Sequence, residues 1–314
     1  MTLARSSDPR ERTVALLARL APQEGYNLTP LAGVRLLRSD RPLARTPVLY
    51  DPGIVIVCQG RKRGYLGTVE YLYDAQHYLA VCVPVPFSME TDASAEEPLL
   101  AIYLHLDFTL LAAVMLELDA LQPPVPTAPA SMVSTRMDRP LAGSVLRLLE
   151  TLAAPLDCAM LGPALIREIY YRVLCGEQGA TLRAALALQG NFGRIARAIR
   201  LIHSDYAQPL DVASLANTAS MSAATFHLHF RQVTSMSPMQ YLKSLRLHQA
   251  RLLMARSGLQ AAAASAAVGY ESPSQFGREF KRQFGLPPME EVRRMQNSFA
   301  LPPPQEGNIY VSSH

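Results

Sequence analysis

Residues 266–288 read AAVGYESPSQFGREFKRQFGLPP, and their spacing decides the fold of the chain's last third. Small residues end in Gly269-Tyr270, a turn signal, and Ser272 follows as a helix N-cap. Phe276 and Phe280 then recur four residues apart, on one helix face, and anchor that helix in a core. The opposite face stays polar. The same order occurs 50 residues earlier: Ser222, Phe226, Phe230, Arg231 and Pro238 recur as Ser272, Phe276, Phe280, Lys281 and Pro288. Upstream, Ala213 and Ala216 recur as Ala263 and Ala266, with Ala219 standing where the second copy has Gly269. Two short helices with an outward polar face on the second make a helix-turn-helix, and two copies in register are far more specific than one.

Between the copies, Pro238 to Ser257 reads as one helix, with Tyr241, Leu242, Leu245, Leu252 and Leu253 on one side and Lys243 on the other. Twenty residues at about 1.5 Å each span about 30 Å. Successive major grooves on one side of B-DNA lie about 34 Å apart, so such a helix can hold two reading heads one turn apart.

Working outward, charge divides the chain unevenly. Residues 191–314 carry 13 Lys/Arg against 7 Asp/Glu, whereas residues 1–190 carry 17 against 19, and five of the seven His lie in the basic part. The overall charge of +4 therefore averages a slightly acidic region and a basic one, which points to an acidic partner for the latter. From Pro47 to Asp107 the texture is that of strands: Ile54–Cys58, a turn over Gln59–Gly64, then Tyr65–Leu66, Val69–Tyr73, His77–Val83, Phe87–Thr91 and Leu99–Leu106. Short strands at this spacing predict a small β-sandwich or barrel. Helices are expected over 10–21, 108–121, 141–154, 162–175 and 181–188, with a Pro-rich loop at 122–129. The resulting fold class is α+β with two domains: a β-barrel or sandwich with appended helices over 1–189, an all-α double helix-turn-helix over 190–300, and a tail over 301–314.

The stretch Leu99–Leu121 is interrupted by His105, Asp107, Glu117 and Asp119, so no membrane span is expected. Charges occupy the N-terminus where a signal peptide needs an apolar run, and Cys58, Cys82, Cys158 and Cys175 show no C-x-x-C spacing. Reduced thiols in a cytoplasmic protein are the expectation.

SAATFHLHFRQVTSMSPMQYLKSLRLHQARLLM (222–254), together with the 266–288 block, resembles the AraC/XylS transcription regulators. Residues 50–107, YDPGIVIVCQ through YLHLD, resemble the cupin-like N-terminal domain of one AraC subgroup. The resemblance implies a sequence-specific regulator of double-stranded DNA, with a small-molecule effector and a homodimer contact in the N-terminal domain and RNA polymerase as a further partner. It implies no cofactor and no metal.

Carried over by position, the recognition helices are 222–233 and 273–284. Ala223, Ala224, Thr225, His227 and Leu228 face outward in the first; Pro273, Ser274, Gln275, Gly277 and Arg278 do so in the second. Arg278 suits guanine and Gln275 adenine, each worth about 1–3 kcal/mol of discrimination; an ion pair of Arg278 with Glu279 or Glu271 is the structural alternative. Leu228 suits a thymine methyl, and His227 a base or phosphate. Arg231, Lys281 and Arg282 touch phosphate or water. His227 and His229, two apart, cannot share a helix face for a metal, and His229 is expected to help pack its helix. The first head thus reads as more apolar and more dependent on DNA shape.

Effector residues are less defined. Tyr78, Ala80 and Cys82 share one strand face, and Tyr103, His105 and Asp107 another; either set lines a pocket or fills the core. Cys58, near Arg61-Lys62-Arg63, is the candidate thiol for sensing an electrophile. Arg194, Arg197 and Arg200 form either a solvated or phosphate-facing surface or an anion site for a nucleotide-like effector. Two enzymatic alternatives are disfavoured: a metal cupin, because the barrel region has no His-x-His with a later Glu and only His77 and His105, and a DNA-repair alkyltransferase fused to the DNA-binding module, because no cysteine stands in a Pro-Cys-His.

Overall fold

The computed structural model describes residues 8–187 and 190–298; the expected tail and Leu188 lie outside the described residues. Helix α1 (Pro9–Leu20) begins where the Asp8 carboxylate accepts the Arg10 amide. Nine strands follow: β1 (Gly25–Leu28), β2 (Val34–Ser39), β3 (Leu43–Leu49), β4 (Gly53–Gln59), β5 (Arg61–Leu66), β6 (Val69–Asp74), β7 (His77–Val81), β8 (Pro86–Asp92) and β9 (Leu99–His105). Helix α2 (Phe108–Leu121), capped by Asp107, leads through the Pro-rich loop to β10 (Met132–Arg136). Helices α3 (Arg139–Leu152), α4 (Pro155–Cys175) and α5 (Gly179–Leu186) close this part.

The strands form a six-stranded antiparallel sheet, β1-β2-β9-β4-β7-β10, and a four-stranded one, β3-β8-β5-β6. Two departures from the sequence reading have physical causes. The strands at 25–28, 34–39 and 132–136 are absent from that reading, because neither their sequences nor their burial alternate cleanly along the strand. The turn expected over 59–64 is a pivot at Gly60 alone, with φ +78° and the Leu99 backbone 3.0 Å from where a Cβ would sit. Strand β5 therefore takes up the basic run Arg61-Lys62-Arg63.

The C-terminal part is helical: α6 (Gly190–Asp205), α7 (Val212–Thr218), α8 (Ala223–Thr234), α9 (Pro238–Ser257), α10 (Ala261–Ala267), α11 (Pro273–Phe284) and α12 (Pro288–Ser298). Helix α9 starts in a capping box, in which Ser237 and Gln240 satisfy each other's backbone amides, and stops at Gly258 with φ +65°. It has no solvated side of any width. Tyr241, Leu242, Leu245 and Leu252 belong to a core running continuously from the barrel through α6–α8, whereas Leu247, Ala250 and Met254 belong to a second core with Phe276, Phe280 and Phe284.

Polar bonds pin α9 to the barrel as well. Tyr241 donates its hydroxyl to the Pro84 carbonyl at 2.8 Å and meets His203 Nε2 at 2.8 Å. Burial pushes His203 down to about 3, so it stays neutral in that contact. Arg251 donates to the Pro47 carbonyl at 3.1 Å, pairs with Glu291 at 3.2 Å, and lies 4.3 Å from the Phe284 ring centroid. Glu291 is completely buried and also accepts two bonds from Arg294.

This arrangement makes Arg251 the test of the packing. Arg251→Met strands a buried carboxylate on one partner and should cost about 3–5 kcal/mol in urea denaturation. Adding Glu291→Gln should restore most of that loss; no recovery in the double variant would contradict the ion pair's role.

Candidate functional site

The two outward helices are held alike. In α8, Ser222 Oγ accepts the Thr225 amide at 3.3 Å, and Phe226 and Phe230 are fully buried with centroids 5.3 Å apart. In α11, Ser272 Oγ accepts the Gln275 amide at 3.3 Å, Pro273 occupies the first turn, and Phe276, Phe280 and Phe284 stack in series at 5.4 and 4.6 Å.

The turns before them differ by one residue. Ser220 and Gly269 occupy the same place, both at positive φ (53° and 82°), and their amides bond Asn217 and Ala266 carbonyls alike. The helices α7 and α10 thus repeat at 49 residues and the recognition helices at 50, which corrects the pairing of Ala219 with Gly269. The second turn holds an extra residue, and Gly269 is obligatory there: a Cβ would stand 2.4 Å from the Ala207 carbonyl oxygen.

On α8, Ala223, Ala224, Thr225, His227, Leu228 and Arg231 are exposed, Leu228 by 58%. On α11, Pro273, Ser274, Gln275, Arg278, Lys281 and Arg282 are exposed and Gly277 is half-buried. Arg231, Arg278, Lys281 and Arg282 form no ion pair with a described residue. Arg278 does not pair with Glu279, because Glu279 is turned inward to Lys243 Nζ (2.8 Å) and the Tyr270 hydroxyl (2.8 Å). Gln275 Nε2 makes a longer bond to Glu279, 3.3 Å, which leaves its carbonyl uncommitted. His229 Nδ1 meets Gln232 Oε1 and its Nε2 meets Asn191 Nδ2, both at 2.9 Å, tying α8 to the start of α6. Arg194 and Arg197 are exposed and Arg200 half-buried on α6; Arg194 donates to the Ser220 carbonyl at 3.4 Å and so supports the first turn.

The sensor candidates are not brought together. Strand register sets Tyr103 level with Arg35 and Val55, and Tyr78 level with Ile56, whose other neighbour is Ile102. Tyr78 and Tyr103 therefore point to opposite faces of the sheet. Tyr78 meets the helical layer, its hydroxyl 3.3 Å from a Cβ placed on Gly176, while the Tyr103 ring fills the space over Gly53. His105 is half-buried, and its Nδ1 has no partner among the described residues. Cys58 and Cys82 are buried, and burial pushes both thiols up to about 12, the opposite of what a reactive thiolate needs. The arginines beside Cys58 in sequence are turned to Asp92 and Glu90.

A residue overlooked in the sequence stands out instead. Lys62 lies on the buried face of the four-stranded sheet, level with Tyr73 and Thr91, only 4% exposed, and bonds to no described residue. Burial pushes its ammonium down to about 8. Tyr50 and Tyr73, hydroxyls 3.4 Å apart, are buried in the same interior. The signal was present, since Lys62 alternates with Gly64 and Leu66, but the turn assigned over 59–64 hid it. Among the described residues, no three His, Cys, Asp or Glu gather as a metal site, and no helix is long and apolar enough to cross a membrane.

Residues 30–181 match the family model described as the AraC-type transcriptional regulator N-terminus, and residues 215–294 match a helix-turn-helix domain. The chain belongs to the AraC family. It is 39% identical over 85 residues to the RCS-specific HTH-type transcriptional activator RclR of Escherichia coli, covering 27% of this chain and 30% of RclR. It is 34% identical over 94 residues to the HTH-type transcriptional regulator AlkR of Acinetobacter baylyi, covering 30% and 31%. The chain thus matches less than a third of these relatives' length. The fold of this AraC-family chain is similar to that of ToxT from Vibrio cholerae, solved with an unsaturated fatty acid bound. The TM-score is 0.57 at 12% identity, covering 88% of this chain and 100% of ToxT.

Lys62 gives a measurable signature. Its folded pKa lies below the unfolded value of about 10.4, so the unfolded chain holds a proton between pH 8 and 10.4 that the folded chain sheds. Lys62 by itself therefore contributes a rise in stability with pH through that window, opposed above about pH 9 by Cys58 and Cys82, whose raised thiols keep protons that the unfolded chain has lost. Lys62→Met should abolish the rise and add about 3 kcal/mol at pH 7; denaturant titrations of both proteins at pH 7 and 10 check it, and a destabilised variant would refute the assignment.

Proposed function

We propose that the chain is a sequence-specific DNA-binding transcription regulator, regulatory rather than catalytic, which acts in the cytoplasm. One observation carries this reading: two Phe-anchored helices, each exposing its outer face, are joined by a single buried 20-residue helix. That helix spans about 30 Å, close to one turn of B-DNA. In this reading α8 and α11 enter adjacent major grooves. Gln275 and Arg278 read base edges through directed hydrogen bonds. Ala224, Thr225, His227, Leu228 and Ser274 supply apolar and short polar contacts. Arg231, Lys281 and Arg282, free of carboxylate partners, meet phosphates. RNA polymerase is a further partner if the regulator activates.

The effector enters the barrel interior. Lys62 is a buried cation awaiting an anionic partner, which favours an organic acid over the electrophile or nucleotide considered from sequence. ToxT, of the same fold, was solved with a fatty acid, which agrees in chemical class. The chain forms a homodimer through α2 and α4, where Leu116, Leu121, Leu156, Met160 and Leu161 are all more than half exposed. That much apolar side chain on two packed helices marks an association surface.

Gel shifts on the chain's own upstream DNA test the central claim. Arg278→Ala should cost about 1–3 kcal/mol and relax specificity in one half-site, whereas Lys281→Ala should weaken all sequences and lower the salt slope by about 1. Equal losses for Arg278→Ala on specific and random DNA would remove it as a reader. For the dimer, Leu121→Glu should convert the sedimenting species to monomer; an unchanged mass would place the contact elsewhere.

A further inference from the structure

The structure contains a cleft of about 750 Å³ where the sensor helices meet the first reading head. Met115 and Asp119 of α2, the loop Pro124–Pro129, and Ala180, Arg183 and Ala184 of α5 form one wall. Asn191 and Phe192 of α6 with His229, Gln232 and Val233 of α8 form the other. The volume is that of a small-molecule site, which ordinarily combines apolar walls with a few fixed polar groups.

The wall chemistry defines what fits. Its charged groups among the described residues are Asp119 and Arg183, which are ion-paired with each other, Arg183 also donating to the Gln122 carbonyl at 3.0 Å. No net charge remains to bind an ion, and a ligand carboxylate would meet Asp119 without gaining an uncompensated cation. The opposite wall carries the Asn191–His229–Gln232 chain. Gln232 Oε1 accepts from Nδ1, and Asn191 donates its amide to Nε2, so both ring nitrogens of His229 are used. Asn191 Oδ1 and Gln232 Nε2 then remain, one acceptor and one donor, without bonds to described residues. We propose that this cleft is a second ligand site, for a neutral, mainly apolar molecule bearing an amide-like edge that pairs with Asn191 and Gln232. Bound there, it would contact a recognition helix directly, without passing through the barrel.

Titration of the full-length protein with neutral N-(1-naphthyl)acetamide, whose amide offers both a donor and an acceptor, followed by its fluorescence, tests this. Saturable binding is expected, about tenfold weaker in Ala184→Trp, which fills the cleft from α5. Ala128→Trp, on the exposed loop wall and outside packed helices, should weaken it likewise and guards against misfolding of the first variant. Anionic 8-anilinonaphthalene-1-sulfonate should bind more weakly than the neutral probe, and Lys62→Met should not alter the neutral probe's affinity. Absence of saturable binding, indifference to both tryptophans, loss of binding in Lys62→Met, or preference for the sulfonate would each overturn the proposal. A further arm rests on the DNA-binding reading: saturating probe should shift DNA affinity in the wild type but not in Ala128→Trp. Failure to bind any DNA would defeat that reading and leave the fluorescence titration to decide the cleft.

Discussion

Everything in the C-terminal half depends on one helix being buried on nearly all sides. An isolated helix of 20 residues is marginal in water, and its stability must come from tertiary contacts. Helix α9 obtains these contacts from three bodies at once: the first reading head, the second, and the barrel. Its faces are apolar toward both heads, and its buried Tyr241 and Arg251 are engaged, Tyr241 with Pro84 and Arg251 with Pro47 and Glu291. A buried unpaired guanidinium would cost several kcal/mol, so these partners are conditions for the helix to sit where it does.

The same contacts define how the two halves can influence one another. Pro47 lies in β3 and Pro84 just before β8, neighbouring strands of the four-stranded sheet that also holds Lys62. A ligand that moved this sheet would pull directly on both polar attachments of α9. The tip of the β5–β6 hairpin adds a third approach, with Gly67 set against Ser235 in the turn between α8 and α9. The second head has its own core, and its helix α11 also packs directly against β3, so both heads meet the N-terminal part, the first through a continuous core and the second through that strand. Coupling of this kind requires two arrangements of a packed element, and α9 with its seated strands is the element that can have them.

The repeat could be read in the sequence because its signals are local: a serine cap, two phenylalanines one turn apart, and a proline opening the next helix. Helix α9 followed from the same signals, down to its ends at Pro238 and Ser257. The one-residue difference between the turns could not be read, since Ser220 takes a left-handed conformation that sequence assigns to glycine. In the barrel, the parity of Tyr78 and Tyr103 depends on register across three strands, which is a non-local property. Lys62 was hidden for a different reason. A run of Arg-Lys-Arg after Gly reads as a solvated turn, and only the sharp pivot at Gly60 converts it into a strand with alternate residues buried.

Charge shows why a regional count understates the contrast between the two parts. Sensor arginines are largely neutralised in place: Arg12 with Glu150, Arg41 with Glu24, Arg63 with Glu90, Arg147 with Glu168. In the reading heads two of the acids that could do this are drawn inward. Glu279 is engaged by Lys243 and Tyr270, and Glu291 by Arg251 and Arg294. Arg231, Arg278, Lys281 and Arg282, paired with no described carboxylate, therefore concentrate positive charge on the outward faces of one pair of helices, although the region's excess is only six charges. A small number of unpaired cations placed on an outward face does more to attract an acidic partner than a larger number held in ion pairs, because a paired charge presents only a dipole at distance. Under the proposed DNA-binding reading, such a small set of cations leaves discrimination between sequences to the base-edge donors on α11 and to the shape fitted by α8.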